Sequence, residues 1–192
     1  MRVAFKRSRD KIRAPMKLVP WMRFTWDLGK LPPPEKAVSI DPVAYPIRPA
    51  RRDEEKVVHK VLFSAFSLDM DWADTLKTMA GWLESQIDET FSHRGVPCLV
   101  VSHGSRIIGV SLFDPDSEAE SNLVTGPSIL NEYHNRGIGT ALLYQTLCTL
   151  RDAGLKKAHA ATKTNVPAAK FVYTKFNSVS EPWEFSPAPT GS

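Results

Sequence analysis

Long hydrophobic runs are missing from this sequence, and cysteine is nearly so. No apolar stretch approaches the roughly 18 residues that a membrane-spanning helix requires, and no signal-peptide core follows the first residues. These absences predict a soluble, non-secreted, cytoplasmic protein that does not engage a membrane. The two cysteines, Cys98 and Cys148, lie far apart among apolar neighbours and outside any metal-binding spacing. We therefore expect two reduced core thiols and no bound metal.

A net positive charge is found only in the N-terminal region. Residues 1–30 contain nine Lys or Arg and two Asp, whereas the whole chain of 192 residues has a net charge of only +4. A nucleic-acid-binding function of this basic arm is one hypothesis, but the arm has no basic helix and no nucleic-acid-binding motif. Trp21, Phe24 and Trp26 interrupt the basic residues, which predicts that part of the arm docks on the domain.

A proline-rich stretch follows the basic arm. Residues 28–50 contain six prolines, which fix φ and donate no hydrogen bond, so we expect an extended linker. The sequence thus predicts an arm and linker over residues 1–44, a compact domain over residues 45–186 and a disordered tail over residues 187–192.

Hydrophobic periodicity predicts a mixed α/β domain. The expected elements are a strand at 44–50, helices at 51–66 and 72–91, a hairpin at 97–114, an apolar strand at 120–133 interrupted at Gly126-Pro127, a helix at 138–153, a strand at 155–164, a short helix at 166–176 and a short strand at 183–185.

Two glycines one residue apart, Gly137 and Gly139, lie where the interrupted strand meets the next helix. A helix N-terminus presents unpaired amides and a partial positive charge, and glycines let an anion approach them. Residues 134–140 therefore suit an anion cradle to which Arg136 adds charge, although a plain tight turn explains the glycines equally well. The dinucleotide fingerprint is excluded because a third glycine is absent, and the P-loop because Gly-Lys-Ser/Thr is absent.

Together with a later segment, these residues resemble the GNAT superfamily of acetyl-CoA-dependent N-acetyltransferases. The family's acetyl-CoA motif is Gln/Arg-x-x-Gly-x-Gly/Ala, and here His134-x-x-Gly137-x-Gly139 is followed by TALL. About 30 residues later, NVPAAKFVYTKF is similar to the second motif. The resemblance covers about 130 residues from residue 45. His134 departs from the usual Gln or Arg, and the final hairpin is short, so that residues 1–30 are a candidate to replace it.

The resemblance implies a central, mostly antiparallel sheet that is flanked by helices and splayed between its fourth and fifth strands. It also implies acetyl-CoA as a co-substrate, with the pantetheine arm on the exposed edge of the fourth strand. The implied cofactor-binding residues are Ile129, Leu130, Asn131, His134, Asn135, Arg136, Gly137, Ile138, Gly139, Thr140 and Asn165. For Asn165, an N-cap of the short helix is a competing interpretation.

For catalysis, Tyr173 matches the family's tyrosine that protonates the departing thiolate. A phenol suits this role because it keeps its proton at neutral pH, but a core aromatic beside Phe171 and Phe176 is the alternative. The middle of the fourth strand has no carboxylate, and Glu120 rather than Glu132 is our candidate general base.

We therefore predict an acyltransferase that moves an acetyl group from acetyl-CoA to a primary amine by direct attack. A non-catalytic acyl-CoA-binding protein on the same fold is the alternative. The amine belongs to a small molecule or a peptide, and the sequence does not identify it. Asp69, Asp71 and Asp74 could attract a cationic amine, although a solvated turn is the more common explanation. Homodimers are frequent in the family, but no residue here requires one.

Overall fold

The computed structural model describes residues 20–93 and 95–184. The predictions made for residues 1–19 and for the tail at 187–192 lie outside these residues.

The described residues form seven β-strands, four α-helices and several shorter turns. The strands are β1 (Trp21–Asp27), β2 (Ile47–Pro49), β3 (Cys98–His103), β4 (Arg106–Leu112), β5 (Ser128–Ile129), β6 (Lys157–Lys163) and β7 (Val179–Trp183). The helices are α1 (Pro34–Ala37), α2 (Glu55–Leu68), α3 (Ala73–Ser92) and α4 (Ile138–Asp152). A π-helical turn spans Ala168–Val172.

The strands are arranged in two antiparallel sheets, with the orders β2-β3-β4-β5 and β6-β1-β7. No ladder joins β5 to β6 in the described part of the chain. Leu123 bridges Phe113 at the end of β4, and its N–H donates to His159 O at 3.0 Å. The sheets meet at this point and diverge beyond it. The predicted mixed α/β fold, splayed between the fourth and fifth strands from residue 45 (here β5 and β6), is therefore confirmed.

The side chain of Asn122 joins the two sheets where they meet. Its Nδ2 donates to Asp114 O at 3.1 Å and Asp116 O at 2.8 Å, and its Oδ1 accepts from the His159 N–H at 2.9 Å. The residue is 1% exposed, so an unsatisfied amide there would be costly. Asn122 thus fixes the closed end of the splay.

The interruption predicted at Gly126-Pro127 keeps the two sheets apart. Gly126 has a φ of +61°, a left-handed conformation that favours glycine, and Pro127 has no N–H to donate. Thr125 folds back on β4, since its Oγ1 accepts from the Leu112 N–H at 3.1 Å. The strand therefore resumes only as the two-residue β5.

Strand β1 corrects the predicted domain boundary. It lies at the centre of the second sheet, antiparallel to β6 from Trp21 opposite Lys163 to Asp27 opposite Lys157, and antiparallel to β7. Phe24 and Trp26 are 2% and 0% exposed, so they belong to the core and not to an arm outside the domain. The folded domain therefore includes β1, which lies between β6 and β7 in the second sheet.

The proline-rich stretch is not the extended linker that the sequence predicts. It contains a 3-10 turn at Leu28–Lys30 and the one-turn helix α1, and it packs on α4, where Tyr144 Oη donates to Pro32 O at 2.7 Å. Proline rings offer apolar surface without a backbone donor, so such a segment can cover a helix with few unsatisfied N–H groups.

The other long elements match their predictions within a few residues, and the C-terminal ones differ most. The short helix expected at 166–176 is only the π-helical turn at Ala168–Val172, and the left-handed φ values of Phe176 and Asn177, 62° and 58°, exclude a helix that continues through them. The last strand begins earlier than expected, at Val179.

Cys98 and Cys148 are free and buried as predicted, and burial raises the pKa of Cys98 to about 12. Among the described residues, no helix has the length and apolarity to cross a membrane.

We predict that the Trp26→Ala variant lowers the free energy of unfolding by about 3–5 kcal/mol, because it opens a cavity and orphans the Lys175 carbonyl, to which Trp26 Nε1 donates at 2.9 Å. The matched variant Trp183→Ala, on partly exposed β7 in the same sheet, should lose less than about 1 kcal/mol. Urea denaturation measures both. Equal losses would show that β1 is not part of the cooperative core.

Candidate functional site

A cavity of about 520 Å³ opens between β5 and β6. The junction of β5 and α4 forms one wall, the π-helical turn and Tyr173 form a second, and α2 and α3 close the far end. Its volume is typical of small-molecule sites. The divergence of the two sheets thus produces a cavity along the open edge of β5.

The edge of β5 presents the main chain of one residue to this cavity. The Leu130 N–H donates to Ile108 O at 2.9 Å, and in an antiparallel pair alternate residues point their main-chain groups away from the partner strand. The N–H and C=O of Ile129 therefore face away from β4. His134 Nε2 lies 2.9 Å from Ile129 O, so the ring donates to this carbonyl as the Nε2–H tautomer.

The other two residues predicted on this edge are placed differently. Leu130 is 5% exposed and packs in the core beneath α2 and α3. Asn131 is exposed and begins a 3-10 turn. Of the three predicted edge residues, Ile129 alone lines the cavity.

The first turn of α4 faces the cavity without a side-chain cap. Gly137 is the N-cap, with a φ of +77°, and no side chain bonds to the amides that follow it. Asn135, Gly137, Ile138, Gly139 and Thr140 all line the cavity. A Cβ at Gly139 would lie 3.9 Å from both Ile129 Cγ1 and Val172 Cγ2. Gly139 therefore stands at the gap between β5 and the π-helical turn.

Arg136 lies outside the cavity wall. Its Nη2 donates to Glu132 O at 3.1 Å, its Nη1 donates to Tyr45 Oη at 3.4 Å, and its guanidinium carbon lies 5.2 Å from the centre of the Tyr133 ring. Arg136 therefore adds no side-chain charge to the cavity wall, where the amides that begin α4 carry the partial positive charge of the helix dipole.

Asn165 also lies outside the wall. Its Nδ2 donates to Asp71 Oδ1 at 2.8 Å, and its Oδ1 is buried without a partner among the described residues. The N-cap of the π-helical turn is Pro167, so Asn165 does not cap it. Its contact instead ties the end of β6 to the loop between α2 and α3.

Tyr173 belongs to both the core and the cavity. Its ring packs edge-on against Phe24 and Trp26, with centroids 5.4 and 5.6 Å away, and the residue also lines the cavity. A Cβ at Gly126 would overlap Tyr173 Oη, so the phenol lies directly against this backbone. Burial raises the pKa of Tyr173 above its usual value, which keeps the hydroxyl protonated.

Of the two glutamates considered as the general base, Glu120 lines the cavity and Glu132 does not. Glu120 is exposed at the rim of the cavity. Glu132 is outside it and pairs with Arg106 at 2.9 Å. A hydrogen bond with its own backbone N–H, together with Arg106, lowers the pKa of Glu132. The structure therefore keeps Glu120 near the site and assigns Glu132 to a surface ion pair.

Sequence reasoning did not identify the side chains that line the far end of the cavity. Its lining includes Trp21, Phe66, Trp72, Leu76, Met79 and Trp82, which come from β1, α2, α3 and the loop between the two helices. Aromatic composition alone does not show that such distant residues meet. No group of three potential metal ligands occurs within residues 20–93 and 95–184.

A helix with an uncapped N-terminus thus lies beside an open sheet edge, and each of these two features can bind a ligand through main-chain groups. Residues 62–177 match the acetyltransferase (GNAT) family model. This match covers more than half of the chain. The protein therefore belongs to the GNAT family, as the two motifs indicate.

Solved structures support the same fold. They include a Drosophila protein (TM-score 0.58, 10% identity, 85% of this chain and 48% of that chain). A GCN5-related N-acetyltransferase from Sphaerobacter thermophilus gives a TM-score of 0.55 at 14% identity, over 85% of this chain and 49% of that one. A tandem GNAT protein from the clavulanic acid biosynthesis pathway gives a TM-score of 0.50 at 11% identity, over 90% of this chain and 56% of that one.

At such identities the likeness shows the fold alone. The chain spans about half the length of these proteins. No curated protein matches it in sequence.

We predict that Gly126→Ala costs more stability than Gly104→Ala. Both glycines have left-handed φ values, +61° and +58°, so both variants bear a backbone cost of about 1–2 kcal/mol. A Cβ at Gly104 meets no atom within 4 Å, whereas at Gly126 it must displace Tyr173, which should add about 1–3 kcal/mol.

Urea denaturation gives the two free energies, and near-ultraviolet circular dichroism reports the tyrosine environment. Equal losses with an unchanged aromatic spectrum would contradict the contact between Gly126 and Tyr173.

Proposed function

We propose that this protein transfers the acetyl group of acetyl-CoA to a primary amine. Membership of the GNAT family indicates acyl transfer from acetyl-CoA in general. The observation that supports the proposal here is the alignment of the uncapped α4 N-terminus, the gap at Gly139 and the exposed main chain of Ile129 along one cavity wall.

The diphosphate would be bound by main-chain amides. The N–H groups of Ile138, Gly139 and Thr140 begin α4, where amides have no intrahelical acceptor, and all three residues line the cavity. Asn135 lies beside them. In this proposal Arg136 contributes no direct contact, because Glu132, Tyr45 and Tyr133 already hold its guanidinium.

The pantetheine arm would follow the β5 edge. Ile129 offers its N–H for the acceptor groups of the arm or for the thioester oxygen, where it would stabilise developing negative charge. Its carbonyl already accepts from His134. When it binds, the pantetheine arm would therefore either leave the hydrogen bond between Ile129 O and His134 intact or displace the imidazole ring of His134 from this carbonyl.

In the chemical step the amine nitrogen bonds to the thioester carbon and the carbon–sulfur bond breaks. Tyr173 gives its proton to the departing thiolate and later regains one from solvent. Burial raises the pKa of Tyr173, and it also raises the pKa of a thiol whose thiolate is released into the same cavity. Because both values rise, the raised pKa of Tyr173 does not by itself prevent proton transfer to the thiolate. Glu120, at the rim, would accept the surplus proton of the amine through water.

We predict that Gly139→Leu abolishes acetyl-CoA binding while Gly139→Ala retains it. A Cβ fits at ordinary contact distance, 3.9 Å from Ile129 Cγ1 and Val172 Cγ2, but a leucine side chain would fill the gap. Calorimetric titration with acetyl-CoA measures binding, and thermal unfolding without ligand checks that both variants fold. Unchanged affinity in Gly139→Leu would place the ligand elsewhere.

We predict that Tyr173→Phe reduces kcat by about a hundredfold or more, as expected for loss of a general acid, with little change in acetyl-CoA affinity. Tyr144→Phe is the matched control, since its phenol bonds to Pro32 O outside the cavity. Thiol release measures turnover. Equal kcat in wild type and Tyr173→Phe would remove the acid role, and no turnover in the wild type despite acetyl-CoA binding would favour a non-catalytic acyl-CoA-binding protein.

A further inference from the structure

The far end of the cavity is an aromatic chamber, defined here as Trp21, Phe66, Trp72, Leu76, Met79 and Trp82. Trp72 is its centre. Trp21 and Phe66 both meet the Trp72 ring edge-on, at centroid distances of 5.8 and 5.5 Å and interplanar angles of 74° and 76°. Such packing holds the rings in fixed orientations, so the chamber has a defined shape.

Lys163 determines which ligand group this chamber suits. Its Nζ lies 4.9 Å from the centre of the Trp72 ring and also donates to Asp71 O at 2.8 Å and to Thr75 Oγ1. One face of Trp72 is thus already occupied by an ammonium group. The chamber is therefore suited to an apolar ring and not to a second cation.

The fully charged side chains that line the cavity are all acidic. Among the described residues that line it, the side chains with full charge are Asp69, Asp114 and Glu120, and none is Lys or Arg. Asp69 and Asp114 also accept hydrogen bonds from nearby backbone N–H groups at 2.9 Å, which fixes these two carboxylates. A cationic amine would be attracted to this cavity, and an acidic acceptor would be repelled.

We propose that the acceptor is a primary amine carried on a flat, apolar ring, with the ring in the aromatic chamber and the amine directed toward Ile129 and Tyr173. This inference rests on the proposed function. Trp21 belongs to β1, so the strand that completes the second sheet also supplies one wall of the acceptor site. An amine that carries such a ring would gain apolar contact with several side chains of the chamber. A polar amine of the same charge but without a ring would gain only electrostatic attraction.

The test compares two primary amines, 2-phenylethylamine and ethanolamine, in the wild-type full chain with saturating acetyl-CoA. We expect kcat/KM to be at least about tenfold higher for 2-phenylethylamine, as the burial of an aromatic ring provides. The variant Trp21→Thr, which keeps a residue that favours strands, should raise the KM for 2-phenylethylamine roughly tenfold. The KM for ethanolamine, which has no ring to lose contact with the chamber, should change by a smaller factor.

Trp183→Thr is the matched control. Trp183 pairs directly opposite Trp21 in the ladder between β1 and β7 and stacks with the Arg23 guanidinium at 4.7 Å, but it is not among the residues that line the cavity. This variant should keep the wild-type selectivity. If Trp21→Thr does not fold, Met79→Gln tests the same chamber from α3 and should lose the preference in the same way.

The outcomes separate this inference from the proposed function. Equal kcat/KM for the two amines, or equal loss for both in Trp21→Thr, would overturn the inference and leave acetyl transfer intact. Absence of acetyl-CoA binding would overturn the proposed function and the inference with it. Should acetyl-CoA bind without turnover, fluorescence titration of the coenzyme A complex with 2-phenylethylamine decides: saturable binding weakened by Trp21→Thr supports the chamber, and no binding overturns it.

Discussion

The buried amide of Asn122 is the interaction on which the geometry of this protein depends. It bonds to the backbone on both sides of the junction, to Asp114 and Asp116 after β4 and to His159 in β6. The sheets are thereby joined at one end, and the Gly126-Pro127 interruption prevents the ladder from continuing toward the other. The cavity follows from these two constraints, because a continuous sheet would have paired the Ile129 main chain with β6.

Strand β1 connects this architecture to the chemistry. Successive residues of a strand point to opposite faces, and β1 uses both faces. Phe24 and Trp26 pack against the ring of Tyr173 on one face, while Trp21 meets Trp72 on the other. The same strand therefore positions the proposed acid and forms part of the proposed acceptor chamber.

Local sequence predicted much of the fold, because periodicity and glycine placement report local structure. The helices α2, α3 and α4, the β3–β4 hairpin and the break at Gly126 were all predictable for this reason. The position of β1 was not, since a basic segment with three aromatics looks like a loosely attached arm until β6 and β7 are known to flank it.

The candidate site was predictable where it depends on backbone and less so where it depends on side chains. The α4 N-terminus follows from Gly137 and Gly139, and Tyr173 follows from its motif. The guanidinium of Arg136 and the amide of Asn165 turn instead toward Tyr45 and Asp71, partners that lie about 90 residues away in the sequence. The roles first assigned to Arg136 and Asn165 therefore stay predictions without structural support in this arrangement.

The central position of β1 has a consequence for biosynthesis. Its two neighbours, β6 and β7, are synthesised more than 100 residues after it, so the second sheet is built from contacts of very high sequence separation. Such contacts slow folding, and while the ribosome completes the chain β1 has no native partner to cover its apolar face. A nascent chain with this topology is exposed to aggregation for longer than one whose strands pair in order of synthesis.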